Sequence, residues 1–430
     1  GQDRLGSFIP MLAAPLQNLG IPALWAASIS QLVVLLGTFY FLQKHFNNAW
    51  FKLAVALILF LPIYPFLMQV MIGHPYLAHH FFTAAYLALP LSARLAKRWQ
   101  ALLLPVLMGL ALWSSELALV GIIAFALCYP RFYGPLLKKH ALFFTLGVLL
   151  SAGFLYYAKI TAHELPHYQK TLATWPQIQE TLTIYIHQFW ELLLFQVNKP
   201  YNSILVYVLI LSWLFTGLFA PWSRLVKSRF FLFCSLSSIG SFLAVIISHW
   251  AVFMNRPFNY FVPSFLFLLL ALLKAQEQIF ASHTMQKHGK GLKLSLIAFS
   301  MSYAFSSIFH ISQQPSYVNW RLTQAQADDL INELSLENKE LSIMGGYWTS
   351  YLLAAKNDNL LAMPCEGYEV RYFQYYYEFF RRPVLFIRNG CLNDLSDTLY
   401  QHKQVLVRSS DVHKLDSLEY AYYFVLNQKK

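Results

Sequence analysis

The stretch ALLLPVLMGLALWSSELALVGIIAFALCY, Ala101–Tyr129, carries a single charge, Glu116, near its middle. One membrane crossing needs about 20 residues, so the stretch is too long for one span and suits two short ones. The basic residues decide between these readings, because cytoplasmic loops collect Lys and Arg. The clusters are Lys44/Lys52, Arg94/Lys97/Arg98, Arg131/Lys138/Lys139, Arg224/Lys227/Arg229 and Lys274/Lys287/Lys290/Lys293. All five fall on one side only if Ala101–Tyr129 crosses twice, with Trp113–Glu116 at an outer bend.

Other apolar runs extend outward from this pair. They are Ile21–Leu42, Leu53–Ile72, Pro75–Ala93, Ala141–Ala158, Tyr201–Ala220, Phe230–Trp250, Tyr260–Leu273 and Leu294–Ile311. Together they predict a mainly α, polytopic transmembrane helical bundle of about ten crossings over residues 1–311. The segment before Ile21 then lies outside, and the carboxyl-terminal region does too. A segment that starts outside needs an earlier outward-going helix. The chain begins with Gly1, so the expectation is an eleventh crossing, missing before it.

Composition agrees with this class. The 430 residues are 57% hydrophobic and 12% charged, with a mean hydropathy of +0.44. Soluble domains hold about 25% charged residues. The net charge of +12 reads as topology-setting loop charge rather than a nucleic-acid footprint. No nucleic-acid partner is expected. The aromatic content of 17% suits interfacial Trp and Tyr belts. The stretch Trp175–Val197 has the pattern of an amphipathic helix lying along the membrane surface.

After Ser312 the pattern changes. Arg321–Glu340 has the spacing of an amphipathic helix. Short apolar runs follow at Leu341–Met344, Leu360–Met363, Pro383–Ile387 and Val405–Val407. This alternation predicts a small α/β domain over residues 312–430, outside the membrane. Cys365 and Cys391 each follow a strand-like run there, and oxidation is possible outside the cytoplasm, so a disulfide between them is expected. Cys128 and Cys234 fall in spans and read as packing residues.

Ionisable groups near a membrane are costly, so their positions carry information. On this topology the outer loops hold Asp3 and Arg4, then His74, His79 and His80 in GHPYLAHH, Glu116 in WSSELA, and Asn255 and Arg256 in FMNRPFNY. Acids, histidines and an arginine thus converge on one surface, as the lining of an outward-opening polar cavity would. Each also has a plainer reading. Asp3 and Arg4 suit a solvated pair, the histidines suit lipid headgroups, and Arg256 suits an interfacial anchor. Glu116 is the hardest to read plainly, since a carboxylate in so apolar a run needs a partner or water. HELPH, His163–His167, matches the zinc-protease pattern only formally. Pro166 opposes the helix which that chemistry requires. Gly-rich phosphate loops and C-x-x-C pairs are absent from the sequence.

Asp3 in GQDRLGSFIPML, the GHP loop, the acidic bend LWSSELALV, and IMGGYWTSYLLA (Ile343–Ala354) after the last span together resemble bacterial GT-C type glycosyltransferases. The resemblance implies a transferase in the cytoplasmic (inner) membrane. Its donor would be a polyprenyl-phosphate-linked sugar and its acceptor a lipid or glycan, both reached among membrane lipids. It further implies a base, Asp3 or Glu116, to take the acceptor proton. The leaving phosphate would be met by Arg4, Arg256, Asn255 and His74, or by a divalent metal ion held by His79 and His80. The competing expectations are a multi-span transporter or flippase of a lipid-linked or anionic substrate, with charges near the midplane, and an O-antigen ligase or polymerase, with large loops between spans.

Overall fold

The structure is a computed structural model. It describes residues 8–21, 23–61, 75–161, 172–196, 200–253, 258–281, 301, 303–305, 308, 329, 331–332, 336, 339–346, 350, 353, 359–365, 378–388, 394–415 and 418–426. Contacts divide the chain into two compact units: Gly1–Pro15 with Ala27–Ile311, and Leu16–Ala26 with Ser312–Lys430.

The helices in chain order are α1 Phe8–Asn18, α2 Ala23–Leu42, α3 Ala49–Phe60, α4 Pro75–Ala88, α5 Lys97–Ser114, α6 Ala118–Cys128, α7 Pro130–Lys139, α8 Ala141–Thr161, α9 Trp175–Leu193, α10 Pro200–Phe219, α11 Trp222–Leu225, α12 Arg229–Ile246, α13 His249–Phe253 and α14 Val262–Phe280. Among the described residues, four segments are long and apolar enough to cross a membrane: Trp25–His45, Ala141–Ala158, Arg229–Ile246 and Val262–Phe280. A fifth is possible if α6 and α7, bent by 87° at Tyr129, count as one broken span. The protein is therefore mostly helical with a few candidate spans, and ten crossings are not supported. The shortfall is one of length and charge. An 11- or 12-residue helix such as α6 or α3 covers roughly 17 Å, against about 30 Å of hydrocarbon. Helix α5 opens with Lys97 and Arg98. The run Leu294–Ile311 and the second half of Leu53–Ile72 lie almost wholly outside the described residues.

Burial separates the helices sharply. The Val262–Phe280 window is 83% buried and the Ala141–Ala158 window only 6%, so α14 is the central helix of its unit and α8 a peripheral one. Helix α8 leaves Leu142, Leu149, Tyr156 and Tyr157 exposed. An apolar surface of this extent suits contact with lipid rather than water. On its other side α8 packs along α5. A Cβ at Gly147 would overlap the Leu102 carbonyl oxygen. Close approach of backbones at small residues is how helices pack without a hydrophobic drive between them. Ser151 Oγ donates to the Pro105 carbonyl at 2.7 Å across the same contact.

Among the described residues the second unit carries a seven-stranded mixed sheet. Its strands are β1 Leu341–Gly345, β2 Leu360–Pro364, β3 Val384–Arg388, β4 Thr398–Gln401, β5 Gln404–Arg408, β6 His413–Leu415 and β7 Leu418–Val425, in the order β2-β1-β3-β7-β5-β4 with β6 paired to β7. Strands β2, β1 and β3 are parallel; β7, β5, β4 and β6 pair antiparallel. The parallel strands are buried on both faces. Ile343, Leu385 and Ile387 enter one cluster, and Met344, Val384 and Phe386 the other. Double burial explains why these strands are continuous apolar runs. All four runs expected to be strands are β1, β2, β3 and β5.

Candidate functional site

Glu116 occupies the bend that separates α5 from α6. Ser115 takes an extended conformation, φ −158° and ψ 136°, and ends α5. Its Oγ accepts the Leu117 N–H at 3.3 Å, while its carbonyl accepts the Ala118 N–H at 3.0 Å and starts α6. The Glu116 carbonyl accepts the Leu119 N–H at 3.1 Å. Three residues thus separate two apolar helices, leaving the Glu116 side chain exposed. Its desolvation is avoided by position.

His79 and His80 are not surface histidines. They are 1% and 2% exposed on α4, with ring centroids 5.3 Å apart. His80 meets the edge of Phe267 on α14 at 6.2 Å, and the Tyr76 hydroxyl lies 3.5 Å from the Tyr260 carbonyl. Neither ring nitrogen of His79 has a hydrogen-bond partner among the described residues. Among the described residues no group of three or more His, Cys, Asp or Glu is placed to hold a metal ion. The expectation that these two sit among headgroups fails, since both are buried and α4 packs against α14.

Asp3, Arg4, His74, Asn255 and Arg256 lie outside the described residues, as do HELPH, most of Arg321–Glu340 and Cys391. Cys365 is disulfide-bonded, with its partner outside the described residues. Cys128 and Cys234 are free and buried.

One polar cluster was not expected. Lys274, placed with the loop lysines on sequence, is buried in α14 and pairs with Glu277 at 2.7 Å. Lys274 Nζ also donates to the His45 carbonyl at 2.6 Å. Glu277 Oε1 accepts the backbone N–H groups of Asn47 and Asn48 at 2.7 and 3.0 Å. The pair therefore ties the turn between α2 and α3 to the central helix. A Lys and a Glu three apart in an otherwise apolar helix was the available signal.

No known protein family matches this chain, and neither does any curated protein or solved structure.

Proposed function

We propose that this chain is a membrane glycosyltransferase of the GT-C type. It moves a sugar from a polyprenyl-phosphate-linked donor to a lipid or glycan acceptor at the outer face of the cytoplasmic membrane. The observation that carries the proposal is the exposed Glu116 on a three-residue bend between the apolar helices α5 and α6. An acid held at the end of two apolar helices is placed to work where a lipid-linked donor presents its headgroup. The sheet-bearing unit after the helical one adds support, since the resemblance calls for such a domain there.

In this reading about ten crossings put Glu116 and residues 312–430 on the side opposite the basic clusters. Glu116 takes the proton of the acceptor hydroxyl. The freed oxygen bonds to the anomeric carbon, the bond from that carbon to the donor phosphate breaks, and polyprenyl phosphate leaves with the electron pair. One such displacement inverts the anomeric centre. Arg4, Arg256, Asn255 and His74 meet the charge on the leaving phosphate. Asp3 serves as the second acid or holds a divalent metal.

The test reconstitutes the full chain in liposomes and measures polyprenyl phosphate released from a panel of lipid-linked sugars. Acceptor-dependent release from one donor is expected. Movement of intact donor across the bilayer with no release would replace the transferase by a flippase.

A further inference from the structure

Tyr129 breaks the chain between α6 and α7, which turn by 87°. Helix α6 is wholly apolar, whereas α7 is PRFYGPLLKK, with Leu136 buried and Arg131, Lys138 and Lys139 exposed. An apolar helix that ends in an amphipathic, basic one at nearly a right angle marks a membrane surface, with α7 lying in its plane. At this corner the connection from α11 comes alongside. A groove of about 400 Å³ opens there, lined by Leu127, Pro130, Arg131, Lys227, Arg229 and Leu232 among others.

Three cations from three different elements face this groove. Each is exposed, and none has a carboxylate partner among the described residues. The sequence explains why. No Asp or Glu occurs between Glu116 and Glu164, or between Glu191 and Glu277, so the segments that build the groove supply no counter-charge. Arg229 also opens α12, whose first turn presents N–H groups. The rest of the lining, Leu127, Cys128, Pro130 and Leu232, is apolar or a thiol, and Leu127 on α6 is 66% exposed.

We infer that this groove binds the phosphate of an anionic membrane phospholipid, with Arg131, Lys227 and Arg229 on the headgroup and Leu127 and Leu232 against the start of its acyl chains. A purely soluble anion would have no use for the apolar wall, and a zwitterionic lipid would leave the three charges uncompensated. Fixed basic residues at a leaflet surface attract anionic lipid in this way. The inference rests on membrane insertion of α6 and not on the transfer chemistry, so loss of one leaves the other standing.

Native mass spectrometry of the full chain in neutral detergent, titrated with phosphatidylglycerol, phosphatidylcholine or inorganic phosphate, tests it. Phosphatidylglycerol is expected to bind well ahead of phosphatidylcholine, and millimolar phosphate is not expected to displace it. The variant Arg131→Gln/Lys227→Gln/Arg229→Gln should weaken phosphatidylglycerol on the order of a hundredfold, each charge being worth roughly fivefold at such a surface. The control Arg381→Gln/Lys403→Gln/Lys414→Gln, with the same change in net charge at exposed positions of the sheet-bearing unit, should change it less than about threefold, since the attraction falls off within a Debye length. Lys227→Gln alone, in an exposed connection, should give a loss of about fivefold and covers the case of a misfolded triple variant. Unchanged binding in the groove variants, an equal loss in the control, or displacement by phosphate would each overturn the assignment.

Discussion

Lys274 and Glu277, one turn apart on α14, form an ion pair in the interior of the helical unit, and the turn between α2 and α3 hangs on both of them. Burying two charges is expensive unless their remaining hydrogen-bond capacity is filled. Here the His45 carbonyl and two backbone N–H groups fill it. Lys274→Met leaves the carboxylate facing two N–H groups with no cation and should lower stability by roughly 3–5 kcal/mol. Glu277→Gln keeps an acceptor for the N–H groups but turns its amide NH2 toward the Lys274 ammonium, so it should cost a comparable amount. Denaturation of both variants in detergent measures the two losses. A Lys274→Met variant within about 0.5 kcal/mol of the parent would remove the pair from the account.

The two glycines of α8 should respond oppositely to the same change. At Gly147 a Cβ meets the Leu102 carbonyl, and backbone cannot swing away; at Gly153 nothing lies within 4 Å. Gly147→Ala should destabilise by about 1–3 kcal/mol through overpacking. Gly153→Ala should stabilise by up to about 1 kcal/mol through helix propensity. Thermal melting of the two variants side by side reads the difference. Equal shifts would contradict the α5–α8 contact.

Much of the helical unit was legible because apolar length alone signals a span. The runs at Ile21, Ala141 and Phe230 became α2, α8 and α12, and WSSE became the bend at Glu116. The strands buried on both faces were legible for the same reason. What periodicity could not show was depth. Lys274 and the pair His79/His80 read as surface groups because charge and polarity ordinarily face water, whereas tertiary packing buries all three. Strands β4 and β7 were missed because they alternate or are rich in Tyr, as in LEYAYYFV, and so present no continuous aliphatic run. About ten crossings are not supported because several apolar runs form helices too short to span alone, such as α3 and α6, while α5 opens with two cations.

The β4–β5 hairpin turns through His402 and Lys403, both in the left-handed region at φ 48° and 63°. That geometry is costly for residues with a Cβ and favours Gly at the second position. Lys403→Gly should therefore stabilise the sheet-bearing unit by roughly 1 kcal/mol. His402 is the wrong place for the same change, since its Nε2 lies 2.7 Å from the Pro364 carbonyl. A destabilised Lys403→Gly in thermal melting would contradict the turn.

Glu419 on β7 sits between Lys414 of β6 and Arg388 of β3. Hydrogen bonds from Lys414 and then Arg388 hold its carboxyl below the ordinary value of 4.5. A lowered folded value means the contribution is present above the unfolded value and is lost as pH falls through the folded one. The melting difference between the parent and Glu419→Gln should therefore stay level from about pH 7 to about pH 5 and shrink below about pH 4.5. A difference constant down to about pH 3 would show that the pairing is absent.

Non-reducing peptide mapping should recover Cys365 joined to Cys391. With Cys128 and Cys234 free, Cys391 is the remaining cysteine of the chain. Recovery of Cys391 as a free thiol would contradict the pairing.

The central claim is that Glu116 does the proton transfer of a sugar transfer at the bend of α5 and α6. Its most direct test is single-turnover release of polyprenyl phosphate by Glu116→Gln in liposomes, at saturating donor and acceptor. The isosteric amide keeps the size of the side chain, and the hydrogen bonds that Ser115 and the backbone make in the bend do not depend on its charge. The account predicts donor binding unchanged and release at least about a hundredfold slower, the lower end for losing a general base. Release at the parent rate would contradict it.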